Sequence, residues 1–174
     1  RDEMRKSRLI IALCLAFMVL GSICLAEVVK PEGKVVLTVK GPIANTNAEE
    51  GFEFDLEMLE GLGITEYKVK DPWLGNKTYA GVTIAKILEY VGAPDEIAEV
   101  AVVAKDGKDV IVTGEQVAKY QIMLATKDGG KAIGSGLGGP VKLVFPYDDN
   151  PGLDKEHPKE SWNWFVTTLE VKAK

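Results

Sequence analysis

Cysteine and histidine are scarce in this sequence of 174 residues, which holds two cysteines and one histidine. Both cysteines, Cys14 and Cys24, lie within the first 26 residues. The rest of the chain therefore has no thiolate to form a disulfide or to bind a soft metal. His157 alone cannot complete a structural zinc site, so a fold organised by zinc is excluded.

Basic residues are also few, and they form no cluster. The sequence has 21 Lys and Arg against 26 Asp and Glu, for a net charge of -5, and residues 27–174 keep 17 basic and 24 acidic residues. A domain without a basic patch gains nothing from a phosphate backbone, so the charge balance disfavours nucleic-acid binding. The hydrophobic share of 46% and the length fit one globular domain.

A long hydrophobic run occurs only at residues 9–20, LIIALCLAFMVL. Basic residues precede it, and a small-x-small site ending at Ala26 follows it. This order is typical of a secretory signal peptide over residues 1–26 that is cleaved after Ala26, with Met4 as the natural start. An uncleaved membrane anchor is the alternative, although the run is shorter than the ~20 residues of a spanning helix.

Export follows from this interpretation of the leader. We expect residues 27–174 to form a single domain in the periplasm, the cell envelope or the extracellular space of a bacterium. After cleavage we expect no stable membrane span, because no second apolar run of sufficient length is present.

Short strands and a few helices alternate without a regular order. A helix is predicted to begin after Thr83, with Ile84, Ile87 and Leu88 on one face and Gly92 at its end. The absence of a regular βα alternation predicts an α+β fold with a compact mixed β-sheet. Strands are predicted over 34–40, 65–70, 98–104, 109–112, 120–126, 141–145 and 162–171, helices over 55–62, 84–91 and 114–119, and loops over 43–51, 71–76, 127–139 and 147–161.

Three local features suggest sites without defining them. The glycine-rich run 134–139 precedes Pro140 and a strand instead of opening a helix, so it is a flexible turn or an amide cradle for a small anion. His157 lies in a charged segment, which favours a solvated surface histidine over a general base. Trp164 alternates with an apolar residue and is expected in the core, whereas Trp73 lies in a polar loop and is expected to be exposed or in a cleft.

The order of the predicted segments resembles the oxidoreductase molybdopterin-binding domain of sulfite oxidases and their bacterial relatives. The resemblance extends over nearly all of residues 27–174, and it implies a compact α+β domain that binds a molybdopterin cofactor. It is carried by YAGVTIAKILEYV (79–91) and GGPVKLVFP (138–146), and also by VLTVKG (36–41), FDLEML (54–59), VAKDGKDVIV (103–112), LATKDG (124–129) and WFVTTLEV (164–171).

The ligand position of that family differs in this sequence. The resemblance implies a cysteine ligand to molybdenum in the loop after strand 65–70, and here that loop reads Asp71-Pro72-Trp73-Leu74. A carboxylate such as Asp71 is a hard ligand and does not replace a soft thiolate. The family's basic residue, often Arg, corresponds to Lys142, which could contact a pterin phosphate as a point charge.

The leader gives a second argument about the cofactor. Residues 5–8, Arg-Lys-Ser-Arg, contain no adjacent pair of arginines, so the leader resembles a general secretory signal. Such a signal threads an unfolded chain and cannot carry a preloaded cofactor. We therefore expect no bound cofactor, with molybdopterin implied by the resemblance alone.

These observations predict an exported, non-catalytic binding module that has lost the metal ligand of its family. Its partner would be a small anionic or flat ligand, or an envelope protein. The alternative is a molybdopterin-dependent oxidoreductase of the sulfite oxidase type, with Asp71 or a neighbour at the metal, and a ligand-free structural or receptor-associated domain is a third hypothesis. The candidate cleft residues are Asp71, Trp73, Asn76, Lys77, Gly138, Gly139 and Lys142.

Overall fold

Ten strands form two five-stranded sheets in the computed structural model, which describes residues 29–174. The first sheet has the order β2-β1-β10-β5-β6. The second has the order β3-β4-β7-β8, with β9 paired to β7. The strands are β1 Leu37–Lys40, β2 Phe52–Phe54, β3 Thr65–Asp71, β4 Gly75–Thr83, β5 Ile97–Ala104, β6 Asp109–Thr113, β7 Met123–Asp128, β8 Lys131–Ala132, β9 Lys142–Val144 and β10 Val166–Ala173.

The first sheet is mixed, as the sequence predicts. Strand β1 runs parallel to β10, with Thr38 opposite Thr168, whereas every other pair in the sheet is antiparallel. The predicted hairpin between β5 and β6 is present, and Gly107 at its tip has a φ of 86°. An Asp-Gly pair favours such a turn because glycine adopts positive φ without a steric cost. The predicted α+β class with mixed β-sheet is therefore confirmed.

The second sheet contains a strand that the sequence analysis missed. The predicted loop 71–76 was wrong at both ends, because β3 extends to Asp71 and β4 begins at Gly75 and pairs with both β3 and β7. The sequence of β4 is a poor strand pattern, with Ala80 and Gly81 in its middle. Gly81 lies at a register shift, and a Cβ there would come within 2.1 Å of the Leu124 carbonyl oxygen. This close approach explains why a residue with low strand propensity occupies a buried strand.

Two short strands and three short helices also lie where loops or nothing had been predicted. One of them is the 3₁₀ helix Ser135–Leu137, inside the predicted loop 127–139. Strand β2 follows the predicted loop 43–51, and β8 lies inside the predicted loop 127–139. The helix Leu153–Glu156 and a 3₁₀ helix, Lys159–Ser161, lie inside the predicted loop 147–161. These elements are too short to leave a periodic pattern in the sequence.

The predicted helices are confirmed, and side-chain caps define their starts. In chain order the helices are α1 Leu56–Gly61, α2 Ile84–Tyr90, α3 Gly114–Lys119 and α4 Leu153–Glu156. Asp55 and Thr83 accept hydrogen bonds from backbone amides in the first turns of α1 and α2. Thr113 and Gln116 form a capping box at the start of α3. Each cap satisfies amides that have no partner inside the helix.

Both sheets and the first two helices contribute to one hydrophobic core. Leu59 of α1 and Ile84 and Ile87 of α2 are fully buried against it. The strands contribute alternate residues, as in β6, where Val110 and Val112 are buried and their neighbours are exposed. This alternation is the pattern expected for a sheet with one face on the core.

No helix in residues 29–174 is long and apolar enough to cross a membrane. The predicted signal peptide over residues 1–26 lies outside the described residues.

The prediction of a solvated His157 was wrong. Only 5% of this residue is exposed, and its ring stacks on Phe145 with the ring centroids 4.6 Å apart. The segment around it is charged, but its backbone folds as α4 and turns the imidazole inward. Burial lowers the pKa of His157, although the Glu156 carboxylate opposes that shift.

We expect the stability of the protein to report this burial. Folding favours the neutral imidazole, so the stabilisation is complete above the ordinary pKa of about 6.5 and is lost as the pH falls through that value toward the folded-state pKa. Because His157 is the one histidine of the chain, its proton NMR titration is unambiguous. The midpoint should lie below 6.5, and a midpoint at or above it would indicate a solvated ring. In His157→Gln, the free energy of unfolding should fall less between about pH 7 and about pH 5 than in the unmodified protein.

Candidate functional site

The carboxylate of Asp71, at the end of β3, is fully engaged within the protein. Its Oδ1 accepts hydrogen bonds from the backbone amides of Trp73 and Leu74, at 2.8 and 2.9 Å. Its Oδ2 accepts hydrogen bonds from the Tyr79 hydroxyl and from Lys142 Nζ, each at 2.6 Å. A carboxylate offers about four acceptor positions, and these four donors fill them. Asp71 is only 1% exposed.

Lys142, at the start of β9, is buried with Asp71. None of its surface is exposed, and its Nζ also donates to the Tyr79 hydroxyl oxygen at 2.9 Å. The ammonium lies 4.7 Å from the ring centroid of Trp164, 5.1 Å from that of Tyr79 and 5.6 Å from that of Trp162. The negative faces of these rings and the Asp71 carboxylate replace the water that a lysine loses on burial.

The electrostatics of this buried triad (Asp71, Tyr79 and Lys142) favour an ionised Asp71. Burial alone would raise the pKa of Asp71, but the hydrogen bonds from Lys142, Tyr79 and the Trp73 amide hold it below its usual value. Burial and the Asp71 carboxylate both raise the pKa of the Tyr79 hydroxyl, which therefore stays protonated and donates to Asp71. Within the triad, Asp71 and Lys142 form a buried ion pair, and the Tyr79 hydroxyl bonds to both, so the polar side-chain atoms of all three residues have hydrogen-bond partners.

The residues in this place do not fit a molybdenum centre. The loop in which the family resemblance implies a cysteine ligand offers the carboxylate of Asp71, whose oxygens have no acceptor position left. Lys142 is fully buried behind aromatic rings, so its ammonium cannot contact a phosphate unless those rings move. Within residues 29–174, no group of three or more His, Cys, Asp or Glu side chains could hold a metal ion. A soft metal would also need thiolate or imidazole donors, which this place lacks.

An open groove lies next to the buried triad. We call it the aromatic groove, and its volume is about 400 Å³. Trp73, at the turn between β3 and β4, is 52% exposed, and Phe165 is 38% exposed. Phe165 has a φ of 56°, a conformation that residues with a side chain seldom adopt and that often marks a binding site. The groove is lined by Trp73, Asp106, Lys108, Lys159, Glu160, Trp162, Asn163, Trp164 and Phe165.

The buried triad positions the walls of the aromatic groove. Asp71 holds the backbone amide of Trp73, and the ammonium of Lys142 lies against the ring of Trp164. Gly138 completes this wall, since its carbonyl accepts a hydrogen bond from the Phe165 amide at 2.8 Å. A Cβ at Gly138 would come within 2.7 Å of the Trp164 ring, and its φ of 92° also favours glycine.

Lys159 covers one face of Trp73. Its Nζ lies 4.7 Å from the centroid of the Trp73 ring, and the Trp73 indole Nε1 donates to the Lys159 carbonyl oxygen at 3.3 Å. The lysine side chain is 53% exposed, so this contact is open to solvent. An exposed cation–π contact stabilises by only about 0.5–1 kcal/mol, so a ligand ring can displace it.

The structure divides the predicted cleft residues among three places. Asp71 and Lys142 meet, but they meet in the interior. Trp73 lies in the aromatic groove, as expected for an exposed or cleft aromatic. Asn76 and Lys77 line a different pocket of about 260 Å³, where Lys77 pairs with Asp128 at 2.7 Å.

The two glycines do not offer free amides. The Gly138 amide donates to the Ser135 carbonyl at 3.4 Å, and the Gly139 amide donates to the Gly134 carbonyl at 3.1 Å. The amide cradle for a small anion stays a prediction, and it would require these bonds to break. As folded, Gly138 shapes the groove wall instead.

Sequence reasoning missed Tyr79, Phe165 and Lys159. It also assigned Trp164 to the core, whereas Trp164 is half-buried and lines the aromatic groove. Tyr79 gave no signal because strand β4 was not predicted. Phe165 was missed because its exposure depends on a backbone turn before β10. An aromatic triplet such as Trp162, Trp164 and Phe165 close to a strand start was the one available hint.

Comparison with known proteins supports the fold. No protein-family model matches the sequence, and no curated protein does. Among solved structures, the chain is similar to the crystal structure of the sulfane dehydrogenase SoxCD from Paracoccus pantotrophus, with a TM-score of 0.62 and 19% identity. The likeness covers 79% of this chain and 38% of that chain, so this chain spans well under half of its neighbour. At this identity the likeness concerns the fold alone, and it agrees with a compact α+β domain.

We expect the triad to dominate the stability of this region. Lys142→Met leaves the Asp71 carboxylate buried without a counter-charge, which should lower the free energy of unfolding by about 3–5 kcal/mol. The double variant Asp71→Asn/Lys142→Met removes both charges and keeps an acceptor for the Trp73 amide, so it should be more stable than Lys142→Met alone. Urea denaturation followed by tryptophan fluorescence measures both values.

The matched control is Lys172→Met, which breaks the surface pair of Lys172 with Glu99 at the similar distance of 2.7 Å. That change should cost no more than about 1 kcal/mol, because the pair is solvated. Equal losses in Lys142→Met and Lys172→Met would show that the Asp71–Lys142 pair is not buried in solution.

Proposed function

We propose that this protein is an exported, non-catalytic binding module of the sulfite-oxidase type, and that its ligand is a small flat molecule bound in the aromatic groove. The observation that carries the proposal is the buried Asp71–Lys142 pair, since Asp71 belongs to the loop in which the family resemblance implies the metal ligand and the adjacent groove is open. The module would then keep the fold of its family without the chemistry of a metal centre.

A flat ligand suits the aromatic groove better than a purely anionic one. Lys108 and Lys159 line the groove, but so do Asp106 and Glu160, and the two signs balance. Selectivity would therefore come from stacking rather than from net charge. Stacked aromatic pairs gain about 0.5–1.5 kcal/mol beyond the burial of their surface, and the exposed face of Trp73 is the obvious platform.

The size of the groove also favours a small molecule over a protein. A volume of about 400 Å³ lies in the range of roughly 300–1,000 Å³ that is usual for small-molecule sites. Trp162 and Asn163 at its base are buried, so the groove has a formed floor. Such a site is largely preformed and demands little ordering when the ligand binds.

Binding of pterin-6-carboxylate, a flat anion, tests the proposal against inorganic phosphate, an anion without a ring. We expect the pterin to shift the indole NMR signals of Trp73 and Trp164 with a Kd below about 1 mM, and phosphate to shift neither. Trp73→Ala should weaken the pterin at least tenfold and change the free energy of unfolding by less than about 1 kcal/mol, because the ring is exposed.

Ile64→Ala is the matched control, since Ile64 is 42% exposed and does not line the groove. It should leave pterin binding unchanged. Unaltered binding in Trp73→Ala, or phosphate binding that displaces the pterin, would contradict a stacking site in this groove.

A further inference from the structure

A second groove lies away from the aromatic groove, between helices α2 and α3 and the start of β5. Its volume is about 760 Å³. Its floor is apolar: Leu88 and Val117 are buried, and Ile97 is partly exposed. Ala85 and Ala118 are exposed, and their small side chains keep the groove open. We call this the acidic groove, for the residues at its rim.

Four carboxylates surround that apolar floor, from Glu89, Asp95, Glu96 and Glu115. Within residues 29–174, none of the four lies within 4.0 Å of a basic side chain. Lys174 is the one basic residue that lines the groove among the described residues, and its backbone amide donates to the Glu96 carbonyl at 3.1 Å. The rim therefore carries a strong excess of negative charge over an apolar surface.

We propose that the acidic groove docks a basic amphipathic segment of a partner protein. In this arrangement apolar side chains of the segment lie on Leu88, Ile97 and Val117, and its Lys or Arg side chains pair with the rim carboxylates. This is how an amphipathic helix occupies a groove, with apolar anchors at the centre and charges at the edge. Complementary charge also speeds the encounter and fixes the orientation.

The charge of the rim argues against the other occupants. A second copy of this chain would bring the same four carboxylates to a two-fold interface, where like charges repel. Anionic lipid and nucleic acid are repelled for the same reason. A metal ion is disfavoured because the described residues include no cluster of side chains able to hold one. The proposal is independent of the aromatic groove, because the two grooves share no residue.

A synthetic peptide of about 14 residues, with leucine at helical spacing and lysine elsewhere, tests the proposal on the purified full chain. We expect the peptide to shift the amide NMR signals of Ala85 and Ala118. The double variant Glu89→Gln/Glu115→Gln should weaken binding at least tenfold. Ala118→Trp, which fills the floor at an exposed helix position, should weaken it by a similar factor.

The matched control is Glu49→Gln/Glu66→Gln, which removes the same charge from exposed positions outside the groove. It should change the affinity less than twofold, and a peptide with glutamate in place of lysine should not bind. Equal weakening in both double variants would overturn the proposal, because the attraction would then be a general effect of net charge. No shift at about 1 mM peptide, or self-association that shifts Ala85 and Ala118 without peptide, would also overturn it.

Discussion

The structure depends on a buried ion pair between Asp71 and Lys142. The two residues are 71 positions apart in sequence, and their contact ties the end of β3 to the start of β9 across the second sheet. The cost of burying both charges is offset only because every polar atom in the triad has a partner and three aromatic rings face the ammonium. The same carboxylate fixes the turn that carries Trp73. One interaction therefore sets both the packing behind the aromatic groove and the shape of its wall.

The pair lies within a fold that is similar to that of a solved structure. The fold is similar to that of a chain of a sulfane dehydrogenase, although this chain spans only 38% of that chain. Asp71 belongs to the loop in which the family resemblance implies a thiolate ligand, and its carboxylate accepts four hydrogen bonds from within the protein. Because the polar groups of the buried triad bond to each other, they are not available to a ligand. A surface that a ligand can reach must therefore lie elsewhere in the fold. Here that surface is the row of exposed and half-buried aromatic rings of Trp73, Trp164 and Phe165.

Local sequence signals predicted the parts of the fold that local interactions form. The cap at Thr83 and the Asp-Gly hairpin turn involve residues within a few positions of each other. Strand β4 escaped prediction because its stability comes from pairing on both edges and from the close approach at Gly81. His157 was placed at the surface because its neighbours are charged, and nothing local shows that its ring meets Phe145. For the site, the sequence indicated Asp71, Trp73 and Lys142. It could not show that two of them neutralise each other, since that requires the register between distant strands.

The most direct test of the central claim is elemental analysis for molybdenum, with pterin fluorescence, on protein purified from its native host. A closed Asp71–Lys142 pair predicts a molybdenum content far below one atom per chain and no released pterin. One tightly bound molybdenum per chain, released together with a pterin, would contradict the account.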